Sequence, residues 1–117
     1  MARIVSEGEF RMILASSLAG LRVRAVTGPG RSGAVASVYA SHLLGVPWIP
    51  YGQPCPDSLR PILIIDTASR TGATLRKAGR RYEGDQLLLH LFDEPPRLRF
   101  WYEVSQGFRR TTGTEAE

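Results

Sequence analysis

Apolar residues recur along this chain in two rhythms, and the changes of rhythm predict its elements. Over residues 6–19, Phe10, Ile13, Leu14 and Leu18 fall at helical spacing, and Ser6 with Glu9 spells a capping box. Gly20 ends that helix. Residues 21–27 predict a short strand with Val23, Ala25 and Thr27 on one face, and 28–33 is a glycine-rich turn. A second helix opens at Ser32 or Gly33 and runs to about Leu44, where Gly45 stops it. Residues 46–51 read as a short strand interrupted by prolines, and 52–61 as a loop rich in Pro and Gly.

The clearest strand is 62–66, where four aliphatic residues in a row predict burial on both faces, as in the middle of a parallel sheet. Residues 73–82 predict a helix with Arg76, Lys77, Arg80 and Arg81 toward solvent. Residues 86–92 form another apolar strand, 93–96 a turn, and 98–104 a last strand. Helices alternating with strands in this way argue for an α/β fold with a doubly wound, mostly parallel sheet. A length of 117 residues fits one domain, placed over 1–107, with 108–117 a polar tail expected to be disordered.

Composition narrows the classes. One cysteine, Cys55, excludes an internal disulfide, and no Cys/His cluster has zinc spacing. A reducing, cytoplasmic setting is the simplest reading. No apolar run approaches the length of a membrane helix, and the first ten residues carry acids where a signal peptide would be apolar. Fourteen of the fifteen basic residues are arginine, a side chain suited to bidentate phosphate contacts, although genomic codon bias explains the excess as well. No lysine-rich tail or aromatic-interleaved basic tract points to nucleic acid.

The most informative segment runs from the strand at 62 through Asp66, Thr67, Ala68, Ser69, Arg70, Thr71, Gly72 and Ala73 to Thr74. A buried strand ends in a carboxylate, and a short loop leads into a helix. In open α/β sheets, ligands bind at the carboxyl ends of strands. Loop amides and a helix N-terminus attract an anion. Thr71 and Thr74 add hydroxyl donors, and Gly72 lets a phosphate approach the backbone. A strand-end acid suits the vicinal hydroxyls of a ribose. This segment resembles the phosphoribosyl-diphosphate (PRPP) motif of type I phosphoribosyltransferases, with Asp66 matching the first of two acids and Thr71, Gly72 and Thr74 the phosphate loop. Residues 23–36, through Thr27, Gly28, Pro29, Gly30, Arg31, Ser32 and Gly33, are similar to the same family's diphosphate loop.

The resemblance implies a phosphoribosyltransferase-like fold with a reduced hood over the base, and a small-molecule substrate, either PRPP or a nucleoside monophosphate. It implies transfer of ribosyl 5-phosphate to a nitrogen base with loss of diphosphate, assisted by Mg²⁺. Asp66 would be the catalytic residue, holding the ribose hydroxyls and, indirectly, the metal. Ser69, Arg70, Thr71, Gly72, Ala73 and Thr74 would bind the 5-phosphate, and Gly28, Gly30, Arg31 and Ser32 the diphosphate. A homodimer is compatible with so small a hood.

The chain departs from the family pattern in three ways. The second acid is replaced by Thr67. Arg70 stands where purine-specific relatives often carry an aspartate, and it suits phosphate contact and plain solvation equally. The 52–60 loop is short for a segment that closes over substrate. A non-catalytic nucleotide-binding or PRPP-binding regulatory protein on the same fold is therefore the alternative reading. Gly28, Gly30 and Gly33 also spell G-x-G-x-x-G, but a dinucleotide fold expects an acid about 20 residues on, and none occurs until Asp57. Trp101 and Tyr102 could stack on a base, with a half-buried hairpin strand the favoured role, and His42 and His90 have no evident chemical partner in sequence.

Overall fold

A computed structural model describes residues 3–104. The chain runs β1 (Arg3–Val5), α1 (Glu7–Leu18), β2 (Ala25–Thr27), α2 (Gly30–Leu44), β3 (Ile62–Ser69), α3 (Ala73–Tyr82), β4 (Gln86–Asp93) and β5 (Leu98–Phe100). Short 3₁₀ turns occupy Asp57–Leu59 and Trp101–Glu103.

β2, β3 and β4 form a parallel sheet in that order. Trp48 adds an isolated parallel bridge to Val26 on the outer side of β2. The expected 46–51 strand is thus reduced to a single bridge, because Pro47 and Pro50 have no amide to give a ladder. The chain crosses from β2 out to Trp48 and then returns to the other side of β2 as β3. The winding therefore reverses between β2 and β3, which makes their carboxyl ends a topological switch point.

Burial of β3 on both faces explains its aliphatic run. Leu63 and Ile65 join a core with Phe10, Leu14 and Leu18 of α1 and Ala36 and Ala40 of α2. Ile62 and Ile64 face Leu75, Ala78 and Tyr82 of α3 on the opposite side. The fold is α/β and doubly wound around parallel strands. Arg76, Lys77, Arg80 and Arg81 lie exposed on α3, as its pattern predicts.

Other expectations shift. Ser6 accepts the Glu9 amide at 3.1 Å, which forms one half of the predicted capping box, while the Glu9 carboxylate pairs with Arg3 in place of the Ser6 amide. β3 runs three residues beyond Asp66, which leaves only 70–72 as the loop before α3. The 21–27 strand shortens to Ala25–Thr27, with Val23 and Val26 in one core and Ala25 in the other. The 98–104 strand ends at Phe100, whose amide is taken by the Glu103 carboxylate at 2.9 Å as the chain turns. Trp101 and Tyr102 therefore sit in a 3₁₀ turn, and β5 pairs in parallel with β1 in place of any hairpin. That two-stranded sheet, with the Trp101–Glu103 turn, stands at the carboxyl end of the main sheet as a small hood. The 108–117 tail lies outside the described residues.

Candidate functional site

Three chain segments leave the carboxyl edge of the sheet side by side. Thr27 ends β2 and leads into the glycine turn. Ser69 ends β3 and leads into the 70–72 loop. Asp93 ends β4 and leads to β5, tied back by the Glu94 amide on the Ser69 carbonyl at 3.0 Å. Between them lies an open cleft of about 1400 Å³. One wall is Pro29, Gly30, Arg31, Ser32 and Val35, and the floor includes Asp66 and Thr74. The hood side supplies Pro96, Arg97, Leu98, Arg99, Tyr102 and Glu103. The structure thus brings Asp66, Thr74, Gly30, Arg31 and Ser32 to one cleft.

The glycine turn owes its shape to close approach. A Cβ on Gly28 would overlap the carbonyl oxygens of Gly33 and Ile65, and one on Gly33 would press on Gly28. Gly28 is accordingly buried under the turn and does not line the cleft. Gly30 takes φ 70° and opens α2. No side chain caps this helix. The first amides of a helix have no intrahelical acceptor, so those of Gly30, Arg31 and Ser32 are available to an anion in the cleft. Beneath them the Thr27 hydroxyl is fully buried with no hydrogen-bond partner among the described residues.

The β3–α3 loop is satisfied from within. Gly72 takes φ 79°, its amide donates to Ser69 Oγ at 2.8 Å, and the Ala73 amide donates to Thr71 Oγ1 at 3.2 Å. The Arg76 guanidinium closes the loop by donating to the Thr71 carbonyl at 2.9 Å. Ser69, Thr71, Gly72 and Ala73 thus form the turn beside the cleft, and the hydroxyls of Ser69 and Thr71 occupy amides that a phosphate oxygen could take. Arg70 is exposed and outside the cleft lining.

Asp66 is half-buried, and its Oδ1 accepts the Thr67 amide at 2.8 Å. Burial pushes its carboxyl above the ordinary value of 3.8. Glu94 adds to the rise, and the Thr67 amide and His90 oppose it. Thr67 is 3% exposed. His90 pairs across the strands with Asp66, and its Nε2 lies 2.7 Å from Asp93 Oδ1. The sequence reading missed that partner, although Asp93 is only three residues on.

Tyr102 reaches from the hood to the opposite wall, where its hydroxyl donates to Ser32 Oγ at 2.8 Å. The ring stacks on Phe100 at 5.7 Å and meets Trp101 edge-on at 4.9 Å. Burial pushes its phenol up, the Glu103 and Asp66 carboxylates push the same way, and hydrogen bonding to Ser32 and Thr67 opposes them. Trp101 packs instead against Phe10 and Tyr39, at 5.2 and 6.3 Å. The sequence reading also missed Arg97 and Arg99 as cleft residues. Their signal was the alternation Arg97-Leu98-Arg99-Phe100, which puts both arginines on one face of a strand and the apolar pair on the other.

No family model matches the chain, and no curated protein matches it in sequence. Solved structures do match its fold. A purine phosphoribosyltransferase from Pyrococcus horikoshii superposes with TM-score 0.69 at 16% identity, covering 95% of this chain and 98% of the other. The xanthine-guanine-hypoxanthine phosphoribosyltransferase of Helicobacter pylori superposes with TM-score 0.67 at 16% identity, covering 92% and 97%. An adenine phosphoribosyltransferase from Thermoanaerobacter pseudethanolicus gives TM-score 0.50 at 15% identity, covering 74% and 79%. The chain has the phosphoribosyltransferase fold, over nearly the whole length of the first two structures. No helix among the described residues is long and apolar enough to cross a membrane.

Proposed function

We propose that this protein binds PRPP or a nucleoside 5′-monophosphate in the cleft and transfers ribosyl 5-phosphate to a nitrogen base with release of diphosphate. The observation that carries this reading is the meeting of Asp66 and Thr74 with Gly30, Arg31 and Ser32 across one cleft at the switch point of the sheet. The 5-phosphate would sit over the 70–72 loop and the start of α3, where the helix dipole favours negative charge. In doing so it would displace the hydroxyls of Ser69 and Thr71 from the Gly72 and Ala73 amides and take Thr74 as a further donor. Asp66 would accept hydrogen bonds from the ribose hydroxyls, which favour its charged form and so reverse the effect of burial. The free amides of α2 and the Arg31 guanidinium would hold the diphosphate. Arg70 would reach the 5-phosphate from the rim.

A Mg²⁺ fits this donor set in a limited way. Among the described residues no group of three or more His, Cys, Asp or Glu side chains converges on a metal position. Mg²⁺ needs no such group, because it keeps waters and takes one or two carboxylates plus ligand phosphates. Asp66 would meet it through the ribose hydroxyls or water, and the ion would offset charge on the departing diphosphate.

Titration calorimetry with PRPP and Mg²⁺ tests the reading, with Asp66→Ala as the control for the ribose contact. Absence of binding by PRPP and by every nucleoside monophosphate at millimolar concentration would overturn it. Thr67, buried and neutral where the resembling family has a second acid, favours one alternative, a binding protein that does not turn its ligand over. Diphosphate release above the protein-free rate, abolished by Asp66→Ala, would eliminate that alternative.

A further inference from the structure

The hood wall carries two arginines that the ribose 5-phosphate reading leaves without a task. Arg97 and Arg99 are exposed, line the cleft and stand on one face of the same extended segment. The Arg97 carbonyl accepts the Arg3 amide at 3.0 Å, which continues the β1–β5 ladder and fixes this geometry. Residues two apart on a strand lie about 7 Å apart on one side, so both side chains leave the segment on the cleft side.

Neither arginine forms an ion pair among the described residues. The Glu94 carboxylate accepts the Leu98 amide at 3.1 Å and the Glu103 carboxylate accepts the Phe100 amide at 2.9 Å, so both are held by main chain and neither pairs with an arginine among the described residues. Arg99 makes one hydrogen bond, to the Glu103 carbonyl at 3.1 Å, which aligns the group without cancelling its charge. Across the floor, burial disfavours the charge on Asp66. The hood wall therefore presents two guanidinium groups with unused, fork-shaped donors, which match a planar carboxylate.

We infer that Arg97 and Arg99 form an anion subsite, and that the base accepted by this protein is a nitrogen heterocycle bearing a carboxylate. The inference rests on the ribose 5-phosphate reading, which places the sugar over Asp66 and leaves the hood wall to the acceptor. A neutral base would leave both guanidinium groups unpaired beneath it as it excluded water, a desolvation cost that a carboxylate removes. The same donors could instead hold the outer phosphate of the diphosphate, and the experiment separates the two.

Calorimetry would first measure ribose 5-phosphate and inorganic diphosphate, each alone. Matched heterocycles would then be titrated with and without saturating ribose 5-phosphate: pyridine-3-carboxylate against pyridine-3-carboxamide, orotate against uracil, and hypoxanthine as a neutral purine. The expected result is that an acid binds about tenfold or more tighter than its neutral twin, as a charged hydrogen-bonded pair provides. The R97Q/R99Q double variant, whose changes are exposed and leave the core intact, should erase that preference while ribose 5-phosphate binds as before. Equal or better binding of the neutral twins and hypoxanthine would overturn the inference. So would a double variant that loses diphosphate affinity and keeps the preference for acids. Failure of PRPP and of every nucleoside monophosphate to bind would sink the underlying reading separately, and the acid-against-neutral comparison without sugar would still decide the subsite.

Discussion

Tyr102 and Ser32 stand 70 residues apart in sequence, yet the phenol of one donates to the hydroxyl of the other at 2.8 Å across the mouth of the cleft. Ser32 lies in the first turn of α2 and Tyr102 in the last turn of the hood, so this bond ties the glycine turn to the hood. Removing the hydroxyl in Tyr102→Phe keeps the ring packed on Phe100 and Trp101. It should cost about 1 kcal/mol of stability, the net worth of one hydrogen bond. Chemical denaturation would check this. Diphosphate affinity should change in the same variant, because Ser32 is freed to turn toward the ligand. An unchanged affinity would show that Ser32 does not contact the diphosphate.

Gly28 and Gly30 belong to one motif but meet opposite constraints. At Gly28 a methyl group would strike main-chain oxygens of Gly33 and Ile65, neither of which can swing aside. At Gly30 a methyl group meets nothing within 4 Å, and only φ 70° resists it. Gly28→Ala should therefore lose about 3 kcal/mol, the upper range for overpacking. Gly30→Ala should lose about 1–2 kcal/mol, the ordinary cost of a left-handed residue with a side chain. Thermal melts of the two variants side by side would check the ordering, and equal losses would contradict it.

Much of this arrangement was legible in the sequence because its signals are local. The aliphatic run 62–65, the Ser6 cap and the glycines at 28, 30 and 33 each announce a conformation within a few residues. What could not be read depends on partners distant in sequence. β1 is three residues long and exists because Leu98–Phe100 pairs with it from the far end of the chain. The 98–104 strand stops early because Glu103 turns back onto the Phe100 amide, a contact that periodicity does not encode. Asp66, Thr74 and the 30–32 turn were recognisable as separate pieces, whereas Arg97, Arg99 and Tyr102 join them only through the hood.

Thr71 serves the loop even without a ligand, since its hydroxyl accepts the Ala73 amide at the start of α3. Thr71→Ala should reduce stability by about 0.5–1 kcal/mol, the net worth of one exposed local hydrogen bond. Thr71→Ser keeps the acceptor and should recover most of it. If the 5-phosphate displaces this hydroxyl from the amide, the Ala variant should lose little further affinity for ribose 5-phosphate beyond one hydroxyl contact. Urea titrations with and without ribose 5-phosphate would separate the contribution of the loop hydrogen bond from the binding one. A variant that keeps full stability would show that the Thr71–Ala73 bond contributes nothing to holding α3.

Asp66 yields a pH prediction with a definite sign. Its folded-state carboxyl titrates above the ordinary 3.8 because burial disfavours the charge. Between that value and the raised one, the folded protein holds a proton that the unfolded chain has released. Its contribution to stability is therefore fully present below about 3.8 and is lost as pH rises through the folded value. Asp66→Asn keeps the oxygen that accepts the Thr67 amide and has no charge to bury. The variant should thus melt at a higher temperature than the parent at neutral pH, with the difference shrinking to nothing as pH falls below the ordinary carboxylate range. Such a gain on neutralising a residue marks a group kept for function at a cost to stability. The same variant should bind ribose 5-phosphate more weakly at neutral pH, because an amide accepts the two ribose hydroxyls less well than a carboxylate. Melting curves of both proteins across this pH range would check the sign. A variant that melts lower than the parent at neutral pH would mean that the Asp66 charge is already compensated in the folded protein.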